Sequence, residues 1–274
     1  MASTINTNIM SINAQRNLAT NQSSLATSMQ RLSSGMRVNS AKDDAAGLAI
    51  ATRMDAQARG MAVAMRNAND AIGLSQTAEG ALGKVGDMLQ RMRELAVQSA
   101  NGTNSASDRT NLDAEYQQLG QEVGRTLTNT KFNGNAILAS AVAQTFQVGA
   151  NNGDVITITP SGAMSANANI TAVTGGDLTS AANANTALTN IDAALDDVTT
   201  ERALYGAMQN RFESAISTLQ ITSENTVAAK GRIMDADFAQ ETSNLSRAQI
   251  LQQAGNAMIA QANQVPNGVM ALLK

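Results

Sequence analysis

The sequence predicts a mainly α protein: long antiparallel helical rods with coiled-coil terminal helices and a small β-hairpin region. Three observations carry that expectation. Apolar residues recur at steps of three, four and seven along both ends and the stretches that follow them. Aromatic residues make up 2% of the 274 residues, Trp is absent and Met reaches 14. Leu, Ile, Val, Met and Ala must therefore fill narrow helix seams rather than a thick globule. Only one short stretch replaces the helical period with β-prone runs around a turn signal.

Ile5, Ile9, Ile12, Leu18, Leu25, Met29, Leu32 and Met36 form the first stripe, and Ser34-Gly35 is the expected stop. A second start is expected at Ser40, where Ser40-Ala41-Lys42-Asp43 fits an N-cap with an acid three residues on. From Ala45 the pattern runs through Ile50, Met54, Met61, Ile72, Leu82, Leu89 and Met92 to Asn101-Gly102. That is one helix about 80 Å long at about 1.5 Å per residue. A third helix begins near Ser105-Ala106-Ser107-Asp108, carries Leu112, Tyr116, Leu119, Val123 and Leu127, and stops at Phe132-Asn133-Gly134. Thr145–Gly149 and Val155–Thr159 flank Asn151-Asn152-Gly153-Asp154, a hairpin signal. Residues 160–185 read as an irregular Ser/Ala/Asn/Thr/Gly excursion. Leu188, Ile191, Leu195, Val198, Tyr205, Met208, Phe212 and Leu219 then restore the heptad, and Leu245, Leu251, Met258 and Val265 carry the last stripe.

The two ends share an unusual outer face. From Met1 to Gln30 the one ionisable side chain is Arg16, and from Thr242 to Lys274 the ionisable residues are Arg247 and Lys274. A surface helix normally carries charge on its wet side, whereas here that side is Asn, Gln, Ser and Thr. Amides and hydroxyls can be satisfied by neighbouring protein where an unpaired charge would be costly. The pattern implies ends that are covered in an assembly.

Composition excludes several classes of function. His and Cys are both absent, which removes the usual zinc sites, thiol nucleophiles, Ser-His-Asp triads, histidine bases and disulfides. A net charge of −3 gives no basic field for nucleic acid. No window reaches the roughly 18 consecutive apolar residues of a membrane span, and Met1–Gln15 lacks the layout of a cleavable signal. No cofactor or metal is expected. The acid pairs Asp43-Asp44 and Asp235-Ala236-Asp237 are too close in sequence to converge from a helix, so they read as helix starts. The run GALGKV at Gly80–Val85 lacks the spacer and hydroxyl of a phosphate loop and lies inside a helical pattern.

Several longer runs carry a family resemblance. They are Ile5-Asn6-Thr7-Asn8, RLSSGMRVNSAKDDAAG from Arg31, RNANDAIG from Arg66, QRMRELAVQSANGTNS from Gln90, FNG from Phe132, FQVGANNGDVITI from Phe146 and DADFAQETSNLSRAQILQQAGNAMIAQANQ from Asp235. Together they resemble bacterial flagellin. The resemblance implies a non-enzymatic structural subunit that polymerises into the hollow helical filament of the bacterial flagellum for swimming. It implies an inner-tube coiled coil from residues 1–44 and 235–274, an outer-tube helical domain from 45–145 and 180–234, and a hairpin with a short variable excursion at 146–179. Large outer domains are expected to be missing.

The resemblance also implies secretion through a type III export channel to the extracellular filament. Implied partners are further copies of the chain, the filament cap, hook-junction proteins, an export chaperone and a vertebrate innate-immune flagellin receptor, with no nucleic acid and no membrane. Inner-tube packing falls to Ile5, Ile9, Ile12, Leu18, Leu25, Met29, Leu32, Leu245, Leu251, Met258 and Val265. Subunit contact and receptor binding fall to Gln90, Arg91, Arg93, Glu94, Leu95 and Val97, completed by Glu115. Arg91 and Leu95 are four residues apart and are expected to share a helix face. Met92 departs from the Val or Ile usual in relatives. The rival readings are a hook-filament junction protein and a type III secreted coiled-coil effector or pore-former.

Overall fold

A computed structural model describes residues 7–271, with side chains described as far as Gln264. Helix α1, Ile9–Ser34, starts where the Asn8 side chain accepts the Ser11 N–H at 3.2 Å and ends at Gly35. Gly35 takes φ +71°, a left-handed cap for which glycine has no Cβ penalty. Helix α2, Ala45–Ala100, starts five residues after the expected Ser40. Ser40 spends its hydroxyl as a donor to Asp43 Oδ2, at 3.0 Å, and that same carboxylate oxygen takes the Asn39 and Ser40 N–H groups. Asp44 instead caps the helix, accepting the Gly47 N–H at 2.8 Å. These hydrogen bonds, the Ser40 hydroxyl first, hold the Asp43 carboxyl below the usual carboxylate range.

Helix α3, Ala106–Asn129, has the expected start, a capping box in which Ser105 and Asp108 satisfy each other's backbone N–H. Strands β1, Lys131–Phe132, and β2, Asn135–Ala136, then pair around Asn133-Gly134. The expected simple helix stop is therefore a tight hairpin, made possible because Asn133 and Gly134 tolerate φ of +47° and +83°. Strands β3, Gln144–Gln147, and β4, Val155–Ile158, form the predicted hairpin, antiparallel with Gln147 opposite Val155. Asp154 Oδ2 closes its turn by accepting the Asn151 N–H at 3.1 Å.

The stretch 160–185 is ordered, which corrects the expectation of an irregular excursion. A 3-10 turn at Met164–Ala166 leads into α4, Ala168–Thr174, capped by Asn167, and α5, Ala181–Met234, begins soon after. Met164, Ile170, Val173 and Leu178 are buried. They are too few and too irregularly spaced to show a period in sequence. Side chains of α2 and α3 replace the missing ladder. Ser99 Oγ donates to the Leu178 carbonyl at 2.7 Å, Tyr116 OH to Val173 at 2.9 Å and Gln117 to Gly176 at 2.7 Å, while Asp113 accepts the Leu178 N–H at 2.8 Å. Helix α6 spans Phe238–Ala271.

The chain divides into two compact units, residues 1–56 with 225–274, and residues 57–224. The larger unit holds a continuous core: Leu82, Val85, Leu89, Met92, Leu95, Tyr116, Val123, Leu127, Ile170, Ile191, Tyr205 and Phe212. Phe146 of β3 meets Phe212 of α5 edge-to-face, with ring centroids 5.7 Å apart. Burial pushes the phenols of Tyr116 and Tyr205 up to about 12 from 10.0.

A raised folded pKa stabilises fully below the unfolded value and is lost as pH rises through the folded one. Thermal stability is accordingly expected to fall between pH 10 and about 12, by on the order of 2 kcal/mol for each tyrosine. On the acid side, hydrogen bonds from Thr179 and Asn183 hold Asp177 below its ordinary 3.8. That contribution is present above 3.8 and is lost as pH falls through the lower folded value. With no His in the chain, a calorimetric pH series should be flat from about pH 5 to 9; a step near pH 6 would contradict this.

Candidate functional site

Helices α1 and α6 pack together as an antiparallel pair. Asn8 donates to the Ala262 carbonyl at 2.7 Å, Ser11 to Asn263 at 2.8 Å and Asn21 to the Ala248 carbonyl at 2.8 Å, while Arg31 meets Glu241 at 3.5 Å. The α1 positions turned inward are Ser11, Ala14, Leu18, Asn21, Leu25, Ser28 and Leu32, at alternating steps of three and four. They face a thin row on α6 that includes Glu241, Leu245, Ala248 and Gly255. Gly255 fits closely under Leu18, since a Cβ there would lie 3.2 Å from Leu18 Cδ1. Three of the seven inward α1 side chains are Ser or Asn, so the pair buries little apolar surface of its own.

The large apolar side chains of the sequence stripe divide between two faces. Leu18, Leu25, Leu32 and Leu245 are half-buried in the seam, whereas Ile9, Ile12, Met29, Leu251 and Met258 are exposed, Ile9 by 64%. Ile5 and the side chain of Val265 lie outside the described residues. Met10 and Ile250, which the stripe had not included, are exposed as well. Beside Leu18, a groove of about 250 Å³ opens between Ala14, Asn17, Leu251, Ala254 and Met258. This is apolar surface on a pair of helices almost free of charge.

At the Gly35 end of α1 the chain is pinned by backbone. Met36 bridges Asp235, Ala236 N–H donates to the Gly35 carbonyl at 3.0 Å, and Arg37 N–H donates to the Met234 carbonyl at 2.7 Å. The Arg37 guanidinium adds a bond to the Ile233 carbonyl at 2.7 Å. Asp237 caps α6, accepting the Ala239 and Gln240 N–H groups. Each acid of the two suspect pairs is thus in a backbone turn or cap and none converges with another. Gly80–Val85 lies within α2. Among the described residues no helix is long and apolar enough to cross a membrane.

In the larger unit the predicted patch centres on Arg91. Its Nε donates to Glu115 of α3 at 2.9 Å and its NH1 to Glu94 at 2.8 Å, one turn along α2. The bonds to Glu94 and then Glu115 raise the Arg91 pKa further. Arg93 makes a separate pair with Asp192 of α5, at 2.7 Å. Gln90 and Val97 are exposed beside them. Leu95 is not, being 1% exposed inside the core, so the expected Arg91–Leu95 surface patch does not form; Val97 is the exposed apolar side chain of this stretch. The helical drift over four residues, about 40°, is enough to separate a surface position from a core one. Met92, the departure from relatives, is fully buried and leaves the surface unchanged. Sequence reading missed Asp192, which lies 99 residues from Arg93 and is recruited by tertiary packing alone.

Known proteins match these features over both ends and the middle. The pattern describing the bacterial flagellin N-terminal helical region matches residues 5–143, and that for the bacterial flagellin C-terminal helical region matches residues 188–273. A flagellin of Halalkalibacterium halodurans is 46% identical over 271 residues, 98% of this chain and 99% of its own. Flagellin A of Vibrio anguillarum is 36% identical over an alignment of 379 positions covering both chains in full, so it carries stretches without counterpart here. The crystal structure of Bacillus cereus flagellin superposes with a TM-score of 0.50 at 34% identity, covering 60% of this chain and 94% of that one. A putative flagellar hook-associated protein from Vibrio parahaemolyticus shares the fold, with a TM-score of 0.58 over 70% of this chain and all of that one, at 14% identity.

Proposed function

This chain belongs to the bacterial flagellin family, and on that premise we propose that the exposed apolar face of the α1–α6 pair is the surface by which copies assemble. Flagellins are structural subunits, and this one is a subunit of the flagellar filament. The rival readings, junction adaptor and secreted pore-former, are not favoured by relatives that match nearly end to end. The observation that carries the proposed surface is the exposure of Ile9, Ile12, Met29, Ile250, Leu251 and Met258 on helices whose remaining outer face carries little charge beyond Arg16 and Arg247. Single exposed apolar residues are ordinary, but a cluster on one helix pair marks an interface.

Within that reading, residues 1–44 with 235–274 form the inner tube, residues 45–145 with 180–234 the outer tube, and 146–179 the outward segment. Export proceeds unfolded through a type III channel with a chaperone, and the chain is added beneath a cap above hook-junction proteins, in the extracellular space. Electron microscopy of purified protein after salt-induced polymerisation tests the assembly; amorphous aggregate in place of filaments would count against it.

The Arg91 patch is the second proposed contact, made with a neighbouring subunit in the filament and with a vertebrate innate-immune flagellin receptor when the monomer is free. Glu94 and Glu115 hold the guanidinium in place, so little side-chain freedom remains to be lost on binding. Arg91→Ala is expected to weaken receptor signalling by purified monomer about tenfold or more, as truncated arginine anchors commonly do. Helicity should be unchanged, because exposed ion pairs add little to folding. Full signalling by Arg91→Ala would remove Arg91 from the contact.

A further inference from the structure

Among the described methionine side chains, three are exposed, and all three lie on the α1–α6 pair: Met10 at 65%, Met29 at 57% and Met258 at 65%. Those elsewhere are buried or half-buried, with Met61, Met92 and Met164 enclosed almost completely. A thioether in contact with solvent meets dissolved oxidants directly, and the protein contains no Cys that would react first. The three sulfurs therefore stand on the helix pair proposed above as the assembly surface.

We propose that Met10, Met29 and Met258 are three separate oxidation-sensitive positions of the α1–α6 pair through which peroxide blocks assembly of the free subunit, while assembled filament is protected. The inference rests on the assembly surface proposed above. In the chemical step, hydrogen peroxide transfers one oxygen atom to the thioether. The sulfur loses two electrons and becomes a sulfoxide, the O–O bond breaks, and the remaining oxygen leaves as water. The product replaces a flexible apolar group with a strong acceptor that has no donor of its own. In water this changes little, because solvent satisfies the new oxygen. Under a neighbouring subunit it leaves a polar group without a partner, which is unfavourable at an apolar contact.

Position sharpens the effect. Met258 borders the groove of about 250 Å³ beside Leu18, Leu251 and Ala254, where the surrounding side chains offer one amide from Asn17 and another from Asn21 but no cation. Met29 follows the buried Ser28, on the outer side of the seam. Neither sulfur packs within the core of residues 57–224, so oxidation should leave the fold of that unit intact. Leu at these positions would fill similar volume without an oxidisable atom, so the choice of Met gives the surface a chemical sensitivity that packing alone does not require.

The test treats purified monomer with hydrogen peroxide, locates sulfoxides by peptide mass spectrometry and measures the critical concentration for polymerisation by sedimentation. Oxidation at Met10, Met29 and Met258 should outpace that at Met61, Met92 and Met164. It should raise the critical concentration at least about tenfold, with unchanged circular dichroism. Methionine sulfoxide reductases should restore assembly, and a M10L/M29L/M258L variant should assemble after the same treatment. In filaments the three sites should oxidise slowly. Filament sites that oxidise as fast as in monomer would overturn the assembly surface and the proposal with it. Protected sites combined with an unchanged critical concentration for the oxidised monomer would overturn the proposal alone.

Discussion

Leu18→Asp is expected to abolish filament formation while leaving residues 57–224 folded. Leu18 sits half-buried over Gly255, in a seam whose neighbours Ala14, Asn17, Ala254 and Met258 carry no positive charge. An aspartate there would be desolvated on assembly without a counter-ion, which costs several kcal/mol at each subunit. The seam has little with which to offset such a loss, since it is built from Ser11, Ala14, Asn21 and Ser28 as much as from leucine. Leu18→Met, similar in volume, should assemble. A chain lacking residues 1–44 and 235–274 should likewise keep its remaining helices and form no normal filament. In the free chain limited proteolysis should trim residues 1–40 and 240–274, which filaments should spare. Filaments of normal appearance from Leu18→Asp would show that the seam is not what assembly depends on.

Phe212→Ala is expected to give the largest loss of stability in the other unit, about 3–5 kcal/mol from lost burial and the cavity left behind. Phe212 is fully buried on α5, and its ring meets Phe146 of β3 at 82°. Such edge-to-face pairs add about 0.5–1.5 kcal/mol beyond area. With 2% aromatic residues in the chain, the neighbouring Phe146 ring is engaged in β3 and few other rings are available to fill the space. The unfolding midpoint should fall by roughly 10 °C for a unit of this size. Hydrogen exchange at β3 and β4 should accelerate before that of α2, because the hairpin loses its anchor while the long helix keeps its own ladder. A change below about 1 kcal/mol would mean that the hairpin contributes little to the core.

The assembly face and the patch were legible to different degrees. The stripe from Ile5 to Met36 marks α1 as amphipathic, yet it merges two faces that differ by one position: Ser11 and Ser28 point inward while Ile12 and Met29 point out. Ordinary patterning assigns large apolar residues to the interior, and that assignment fails for Ile12 and Met29, which stay exposed. Arg91 and Glu115 could be named in advance, whereas their direct pairing and the Arg93–Asp192 pair depend on how α3 and α5 lie against α2. Leu95 illustrates the converse, a residue whose place on α2 was plain and whose burial was not.

By itself the sequence determined what is local. The helical character of the long segments, the Ser105–Asp108 capping box, the Gly35 stop, the hairpin turn at Asn151–Asp154 and the low charge of both ends all follow from neighbours within a few residues. The helical period and turn chemistry act over that range and need no knowledge of the rest of the chain. Tertiary structure alone decided the order within residues 160–185, where four scattered apolar side chains and four side-chain bonds from distant helices stand in for a repeating pattern. It also decided which apolar residues of α1 and α6 stay in water. Periodicity fixes that a helix has a face; only the packing of a second element fixes which face is used and which is left exposed.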